Sequence, residues 1–380
     1  MQNKYATGAC DGWKNVRKDS LIGSTANVEG NPVLLNVNDI SSRPKTAETL
    51  LEIVESEIEY ILNVLQAILV AWCTDASGES AKMRRLLVRR YPWLVVLDCW
   101  AHQVQLVVGD LWRADDPLIR AMDRATEVVK WFNNHSLALG VLKKEQTTRR
   151  TKVLCLILPG ATRWTSHFLC ISRLLELEEC LRLLPVATER HQTLMRAAGP
   201  KRDAKNKAAE ILRTIVEPGF WEYLKSLWDV LRPFAIASNV TQGDNARLDT
   251  VLCTLAHLYH IFSKPSFPEC VRRAVLPSLE KRWANADQPI FILAVVLNPY
   301  IRARAFHPNS AYRTPAGLRS LVSDAFQRFF GELPDYEMDS AFTDYVAWAG
   351  EWSAEGMNLA NTRQAAKAQV RLLLHNQTHI

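Results

Sequence analysis

One apolar run constrains the fold of this chain more than any other feature of its sequence. Residues 67–73 read AILVAWC, contain no charged or amide side chain, and stop at Thr74-Asp75. A run of this length without polar alternation is typical of a strand buried on both faces, and such strands lie in sheets whose faces are covered by helices. We therefore expect an α/β fold in which residues 67–73 form a central strand.

The segments on either side of this run alternate between strand and helix patterns. The turn residues at 30–32 separate two β-rich runs, which predicts an antiparallel hairpin. Thr46 is a suitable N-cap for a helix whose apolar residues recur every three or four positions. The predicted elements are a strand before Asp11, strands over 19–28 and 33–37, a helix from Thr46 to about Leu65, a helix over 80–91, a strand over 94–97 and a helix over 99–112. Together they predict a mixed α/β sheet.

The rest of the chain has helical periodicity and few strand signals. Pro218 suits the first turn of a helix, and apolar residues follow it at four-three-four-three spacing from Phe220. Further helices are predicted over 164–184, 247–263, 270–285, 316–330, 338–352 and 358–375. The polar, basic segment 196–209 is expected to be a loop or a weak helix. We predict a first domain over 1–160 that contains the sheet and a second, all-helical domain over 161–380.

Composition excludes some classes of protein. Hydrophobic residues make up 48% and charged residues 23% of the 380 residues, which is typical of a globular protein. The formal net charge of +6 permits contact with nucleic acid without requiring it. The eight cysteines include no CxxC pair, which argues against a zinc ribbon or finger. The sequence has no recognisable signal peptide or membrane span, and its scattered cysteines suit a reducing compartment such as the nucleus or cytoplasm.

Two acidic residues follow predicted strands. Asp11 comes where the first strand is expected to end, and Asp75 follows the central strand. Carboxylates at the ends of neighbouring strands can bind Mg²⁺ or Mn²⁺, because hard cations prefer oxygen ligands. Metal ions held in this way can promote displacement at a phosphodiester. The alternative is that each Asp forms a turn or caps a helix, and the Ala-Ser-Gly that follows Asp75 fits that alternative well.

Two further pairs are candidates for function. Cys99 and His102 are three residues apart, on one side of a predicted helix. Two ligands do not make a zinc site and no second pair lies nearby, so a buried thiol beside a hydrogen-bonded core histidine is the favoured interpretation. Arg163 can hold a phosphate and Trp164 can stack on an unpaired base, whereas the alternative is a helix start with Trp164 in the core.

Basic residues are clustered in three segments of the chain. Each cluster can contact DNA phosphates, but a solvated helix face is the commoner explanation for any one of them. The clusters are Arg84, Arg85, Arg89 and Arg90; Lys143, Lys144, Arg149, Arg150 and Lys152; and Arg196, Lys201, Arg202, Lys205 and Lys207.

Several of these segments, taken in order, resemble one family. DGW at 11–13, a strand pair, KTAE at 45–48, CTDASG at 73–78, CWAH at 99–102 and TRWTS at 162–166 are similar in type and order to motifs of hAT-like DNA transposases. The later segments LWDVLRPFAIASNVTQGD and VVLNPYIRARAF also resemble parts of that family. The resemblance covers about residues 7–306.

The resemblance implies an RNase H-like fold with a large helical insertion and an Asp–Asp–Glu triad that binds Mg²⁺ or Mn²⁺. Asp11 matches the first acid of the triad and Asp75 the second. Cys99 and His102 match a mainly structural pair, while Arg163 and Trp164 match residues near the DNA hairpin end. The implied partner is transposon-end DNA, with a possible homo-oligomer in a full-length form, no membrane, and a location in the nucleus or otherwise the cytoplasm.

The chain also departs from the family pattern. The third acid belongs to a late motif resembling Ser-Glu-Arg, and no such motif occurs before Ile380. We therefore expect a chain truncated at both ends, without the upstream BED-type zinc domain and without the C-terminal core and dimerisation region. A transposase-derived protein of this kind is expected to be catalytically incomplete, with little or no strand transfer by this chain alone.

Two alternatives remain open. One is a domesticated, non-catalytic module that binds DNA or protein. The other is an RNase H-like nuclease, which needs a glutamate on the first core helix, where Glu48, Glu52 and Glu55 are available.

Overall fold

The computed structural model describes residues 1–160, 163–243 and 245–364. Its strands are β1 Tyr5–Lys14, β2 Ser20–Val28, β3 Asn31–Asp39, β4 Ile68–Thr74 and β5 Val95–Asp98. Its helices are α1 Ala47–Asn63, α2 Gly78–Arg90, α3 Trp100–Leu111, α4 Pro117–Asn134, α5 Ser136–Arg149, α6 Thr165–Glu176, α7 Glu178–Leu183, α8 Thr188–Ala197, α9 Arg202–Val216, α10 Pro218–Gln242, α11 Leu248–Phe262, α12 Glu269–Ala284, α13 Gln288–Val296, α14 Pro315–Phe330 and α15 Tyr336–Ala347. A mixed sheet followed by helices is confirmed.

The five strands form one sheet in the order β3-β2-β1-β4-β5. β1, β2 and β3 form an antiparallel meander, while β4 pairs in parallel with both β1 and β5. The apolar run 67–73 is therefore an interior strand, as its composition predicts. Parallel strands need crossover connections, and α1 and α2 provide them, since α1 leads into β4 and α2 leads into β5.

The core of the sheet forms where α1 packs on it. Thr46 is the N-cap of α1, and its hydroxyl accepts a hydrogen bond from the Thr49 amide, as predicted. The buried side chains Val54, Ile58 and Ile61 of α1 recur at helical spacing and join the same cluster as Leu69 and Trp72 of β4. Burying each such side chain stabilises the fold by about 1.5–3 kcal/mol.

A glycine in β1 makes room for the largest of these side chains. A Cβ atom at Gly8 would overlap the six-membered ring of Trp72. Trp72 is fully buried. The missing side chain at Gly8 therefore allows the indole to lie directly against the neighbouring strand.

The chain divides into two compact units. One contains the described residues of 1–99, 244–253 and 286–380, and the other contains those of 100–243 and 254–285. The boundaries of these compact units differ from the predicted boundary at 160. A compact unit is not by itself a domain, so the predicted domains over 1–160 and 161–380 stay a prediction. In the first unit, Arg328 of α14 donates to the Leu94 carbonyl next to β5, which joins a late helix to the sheet.

The second unit is helical and is built around α10. Pro218 begins this helix, as predicted, and the buried stripe that follows contains Phe220, Leu224, Leu227 and Leu231. α10 packs against α3, α4 and α6.

The segment 196–209 differs from the expectation of a loop or weak helix. Only 198–201 is non-helical, and α9 begins at Arg202. The helix forms because Ala208, Ile211, Leu212 and Ile215 provide a buried apolar face beyond the basic stretch. The predicted helix over 358–375 extends past 364, so its later part lies outside the described residues. Within the described residues, no helix is long and apolar enough to cross a membrane.

Candidate metal site

The pairing of β1 with β4 brings the two candidate acids together. Cys10 pairs with Thr74 as the last residues of the parallel ladder, and Asp11 and Asp75 are the next residue on each strand. Asp11 and Asp75 therefore lie at the same level of two neighbouring strands. They line one pocket, together with Gly12, Ser77 and other residues of the first unit.

Asp11 does not lie at the end of its strand, and that expectation is wrong. β1 continues to Lys14 because it stays paired with β2, from Asp11–Gly23 to Lys14–Ser20. Trp13 packs over Gly23, where a Cβ atom would lie 2.9 Å from the indole Cζ3. The pairing of β1 with β4, in contrast, ends at Cys10, before Asp11. The pocket lies at this β4 edge of β1.

The Asp11 carboxylate is exposed and weakly engaged. Its Oδ1 accepts a hydrogen bond of 2.9 Å from the Gly12 amide. Among the residues that the structure describes, no Lys, Arg or His forms an ion pair with it. Most of its oxygen lone pairs therefore remain available to a cation or to water.

Asp75 takes part in a turn as well as in the pocket. Its Oδ1 accepts a hydrogen bond of 3.3 Å from the Ser77 amide. Ser77, and not Asp75, is the N-cap of α2, since the Ser77 hydroxyl accepts from the Ser80 amide at 3.2 Å. Asp75 thus takes part in a turn, as the alternative interpretation expects, and it also lines the pocket.

Sequence reasoning missed two residues of the pocket. Glu79 lies in the first turn of α2, four residues after Asp75, and adds a third carboxylate to the lining. Lys45 is the only cationic residue among the described residues that line the pocket. Glu79 follows Asp75 closely in the chain, which was a possible signal, whereas no local pattern places Lys45 in the same pocket as Asp11.

The described residues include no group of three His, Cys, Asp or Glu side chains placed to hold one metal ion. Asp11, Asp75 and Glu79 thus share a pocket without forming a three-ligand site. The cavity of about 50 Å³ has room for an ion with a few water molecules.

Cys10 lies beneath the carboxylates. It is buried, and burial raises the pKa of its thiol to about 12, with a smaller contribution from the negative charges of Asp75 and Asp11. This thiol therefore stays protonated at neutral pH and contributes an apolar floor to the pocket.

A buried arginine holds the ends of β4 and β5. Arg84, only 8% exposed, donates to the Thr74 hydroxyl, to the Asp75 carbonyl at 2.6 Å and to the Asp98 carboxylate. The sequence placed Arg84 in a basic cluster that could contact DNA phosphates or form a solvated helix face. For Arg84 both interpretations are wrong, because its guanidinium is enclosed by the protein.

The glutamates considered on the first helix are engaged elsewhere. Glu48 pairs with Lys82, Glu52 with Arg43, and Glu55 with Arg90. None of the three glutamates lines the pocket, where α1 contributes Thr49 and Leu50 instead.

Cys99 and His102 lie around the start of α3. The Cys99 amide donates to the Thr74 carbonyl at 2.7 Å. Its thiol lies beside Cys73, and the hydrogen bond between the two, together with burial, raises the pKa of the Cys73 thiol. His102 lies in the first turn of α3 and is half-buried. These contacts give Cys99 a structural place at the end of the sheet.

Arg163 and Trp164 have different environments at the start of α6. Trp164 is 5% exposed, and its ring packs edge-on against Phe234 at 6.4 Å. Arg163 is exposed, and its carbonyl accepts from the Ser166 hydroxyl at 2.7 Å. Trp164 thus occupies the core position of the alternative interpretation, while Arg163 is available at the surface. Their predicted role at DNA stays a prediction.

No model of a known protein family matches the chain, and no curated protein sequence is significantly similar to it.

Proposed function

We propose that this chain is a transposase-derived protein with an RNase H-like core, in which Asp11 and Asp75 hold a divalent cation at a DNA phosphodiester. One observation carries the proposal. The two acids directly follow the last pair of a parallel ladder and line one pocket. This placement brings two carboxylates to one pocket, as a shared divalent cation requires.

The sheet topology is consistent with this proposal. An RNase H-like core is expected to have a mixed sheet with an early antiparallel hairpin, followed by parallel strands with helical crossovers. The meander β1-β2-β3 and the parallel strands β4 and β5 have that layout.

The donor atoms fit Mg²⁺ or Mn²⁺. Mg²⁺ usually binds proteins through one or two carboxylates and keeps several water molecules or substrate phosphate oxygens as its remaining ligands. Asp11 and Asp75 supply two carboxylates, and the pocket has space for water. When bound, such a cation supplies charge stabilisation to the oxygens of a phosphodiester undergoing displacement.

The residues of the pocket have distinct proposed roles. Asp11 and Asp75 hold the cation. Lys45, as the one cation in the lining, attracts and orients the DNA phosphate. Because the described residues form no three-ligand group, we expect weak binding and little or no strand transfer by this chain alone. Transposon-end DNA, a homo-oligomer and a nuclear location are part of the same proposal.

Mn²⁺ binding tests the proposal. Titration of the protein with Mn²⁺, followed by the electron paramagnetic resonance signal of the free ion, is expected to show one site that weakens or disappears in Asp11→Asn and Asp75→Asn. The matched control is Asp115→Asn, which removes an exposed carboxylate that pairs with Arg120 elsewhere in the fold. Equal Mn²⁺ binding by all four proteins would refute the proposed site.

A non-catalytic DNA-binding module is the second candidate. It is favoured by Arg85 and Arg89, which are exposed, four residues apart on α2, and without an ion-pair partner among the described residues. In that case DNA binding is strongly salt-dependent and unchanged in Asp11→Asn and Asp75→Asn. The nuclease alternative is tested with an RNA–DNA hybrid as substrate.

A further inference from the structure

Arg84 is a charged residue that the proposed chemistry does not use, although it lies next to the proposed site. It projects from the middle of α2 and is almost completely buried. Burying a guanidinium is costly unless hydrogen bonds replace its hydration. Here they do, because Arg84 donates to Thr74, Asp75 and Asp98.

The three acceptors belong to one small region of the fold. Thr74 and Asp98 are the last residues of β4 and β5 and form a register pair in the parallel ladder. The third acceptor is the main-chain carbonyl of Asp75, at 2.6 Å. Arg84 therefore ties two strand ends together and fixes the peptide group of the residue whose side chain lines the pocket.

The loop between β4 and α2 contains three residues, 75–77. The Thr74 hydroxyl also donates to the Asp75 carbonyl, at 3.2 Å, and the Ser77 amide donates to the Asp75 side chain at 3.3 Å. Arg84 lies in the second turn of the helix that follows, so its hydrogen bond to the Asp75 carbonyl closes the loop from the helix side. The planar fork of a guanidinium suits this task, since it can donate in two directions from one rigid group.

From these contacts we infer that Arg84 is a positioning residue that sets the Asp75 carboxylate at the level of Asp11. The inference rests on the proposed function, because it gives Asp75 a ligand's role. It also assigns Asp98 as the counter-charge of Arg84 instead of a further metal ligand. Partners that orient a metal ligand without touching the metal commonly change metal affinity by about 10- to 100-fold when they are removed.

Substitution of Arg84 separates positioning from simple stabilisation. Arg84→Met keeps the apolar stem and removes every donor, whereas Arg84→Lys keeps the charge and can reach fewer of the acceptors. The matched control is Arg85→Met, which removes the exposed neighbouring guanidinium. For each variant we would measure Mn²⁺ affinity, the thermal unfolding midpoint and amide hydrogen exchange in peptides covering 72–79.

The expected results are specific. Mn²⁺ affinity falls about tenfold or more in Arg84→Met at temperatures where the protein is folded, and Arg84→Lys recovers part of it. Exchange becomes faster in peptides covering 72–79, while peptides of β2 and β3 keep their rates. Arg85→Met changes neither quantity.

The outcomes that overturn the inference differ from those that overturn the proposed site. If the parent protein binds Mn²⁺ through Asp75 and a folded Arg84→Met variant binds it equally well, Arg84 does not position Asp75. If Arg84→Met does not fold, the test uses Arg84→Lys instead. A Mn²⁺ affinity of Arg84→Lys equal to that of the parent protein would then contradict the inference. If the parent protein binds no Mn²⁺, the proposed function fails and the inference fails with it.

Discussion

The backbone of β1 passes directly over the indole of Trp72 at Gly8, and this contact has a measurable energetic consequence. Gly8→Ala is expected to destabilise the protein by about 2–3 kcal/mol, because the added methyl group overlaps a ring in a closely packed core. Urea denaturation of the purified variant measures the change.

The matched control for that substitution is Gly78→Ala. No atom lies within 4 Å of a Cβ built at Gly78, which is in the first turn of α2. The control is expected to be neutral or slightly stabilising, since alanine favours a helix more than glycine does. Equal stability of the two variants would show that Trp72 does not lie against Gly8.

Cys10 provides a second prediction at the scale of a single residue. Burial raises the pKa of the Cys10 thiol to about 12, so only a small fraction of the protein molecules carries an ionised Cys10 at pH 8. The thiolate is the form of cysteine that reacts. Cys10 is expected to react with iodoacetamide at least about tenfold more slowly than the exposed Cys155. Mass spectrometry of timed samples measures both rates in one protein, and rapid labelling of Cys10 would contradict the described pocket.

At this scale the sequence identified the acids but not their neighbours. Asp11 and Asp75 were predicted because each is polar beside an apolar strand. Lys45 and Arg84 were not, because their roles depend on contacts with residues distant in sequence. The burial of Arg84 could not be predicted, because Arg85, Arg89 and Arg90 nearby give the helix the sequence pattern of a solvated basic surface.

Among the helices, α11 is anchored near its start by a buried carboxylate. Asp249 accepts hydrogen bonds from Arg247 and from Asn298 at 2.6 Å. Burial acts to raise the pKa of Asp249, but the hydrogen bonds from Arg247 and Asn298 outweigh it, and its pKa is lowered.

This shift gives a pH-dependent stability. Because the pKa of Asp249 is lower in the folded state, ionised Asp249 stabilises the fold above its unfolded pKa of about 4. That contribution is lost as the pH falls through the folded value. Asp249→Asn is expected to cost about 1–3 kcal/mol at pH 7 and progressively less below about pH 4.

Denaturation of the parent and Asp249→Asn at several pH values measures this dependence. Asp339→Asn is the control, since Asp339 lies 3.7 Å from Arg319 in an exposed pair that contributes little. A stability difference for Asp249→Asn that stays constant from pH 7 to pH 3 would contradict the assigned role of the carboxylate.

The helices and strands whose bounds depend on local sequence pattern were predicted well. Those whose bounds depend on pairing with another strand were predicted less well. The α1 N-cap, the interior strand β4 and the helix from Pro218 follow from composition and spacing. The length of β1 does not, because β2 extends it past Asp11 through Trp13 and Lys14. The register that aligns Asp11 with Asp75 is a property of two strands separated by more than 50 residues, so no single segment encodes it.

For the molecule as a whole, a net charge of +6 permits contact with DNA, and under the proposed function Arg163 contacts DNA whereas Trp164 stabilises the fold. Arg163→Ala is expected to weaken DNA binding and to reduce the salt dependence of the affinity by about one phosphate contact. Trp164→Ala is expected to destabilise the fold by about 3–5 kcal/mol, since Trp164 packs on Phe234 in the core.

Fluorescence anisotropy with labelled duplex at several salt concentrations, together with denaturation, distinguishes these effects. Lys225→Ala serves as the control, because Lys225 is an exposed cation already paired with Glu178. An unchanged fold in Trp164→Ala combined with lost DNA binding would instead favour the stacking role that its sequence position suggested.

The central claim is that Asp11 and Asp75 bind one cation together. Crystals of the protein soaked in Mn²⁺ and measured near the manganese absorption edge test it most directly. We expect an anomalous peak within bonding distance of both carboxylates, roughly 2.0–2.3 Å from an oxygen of each. A peak bound to Asp98 or to another surface carboxylate, with none between Asp11 and Asp75, would contradict the claim.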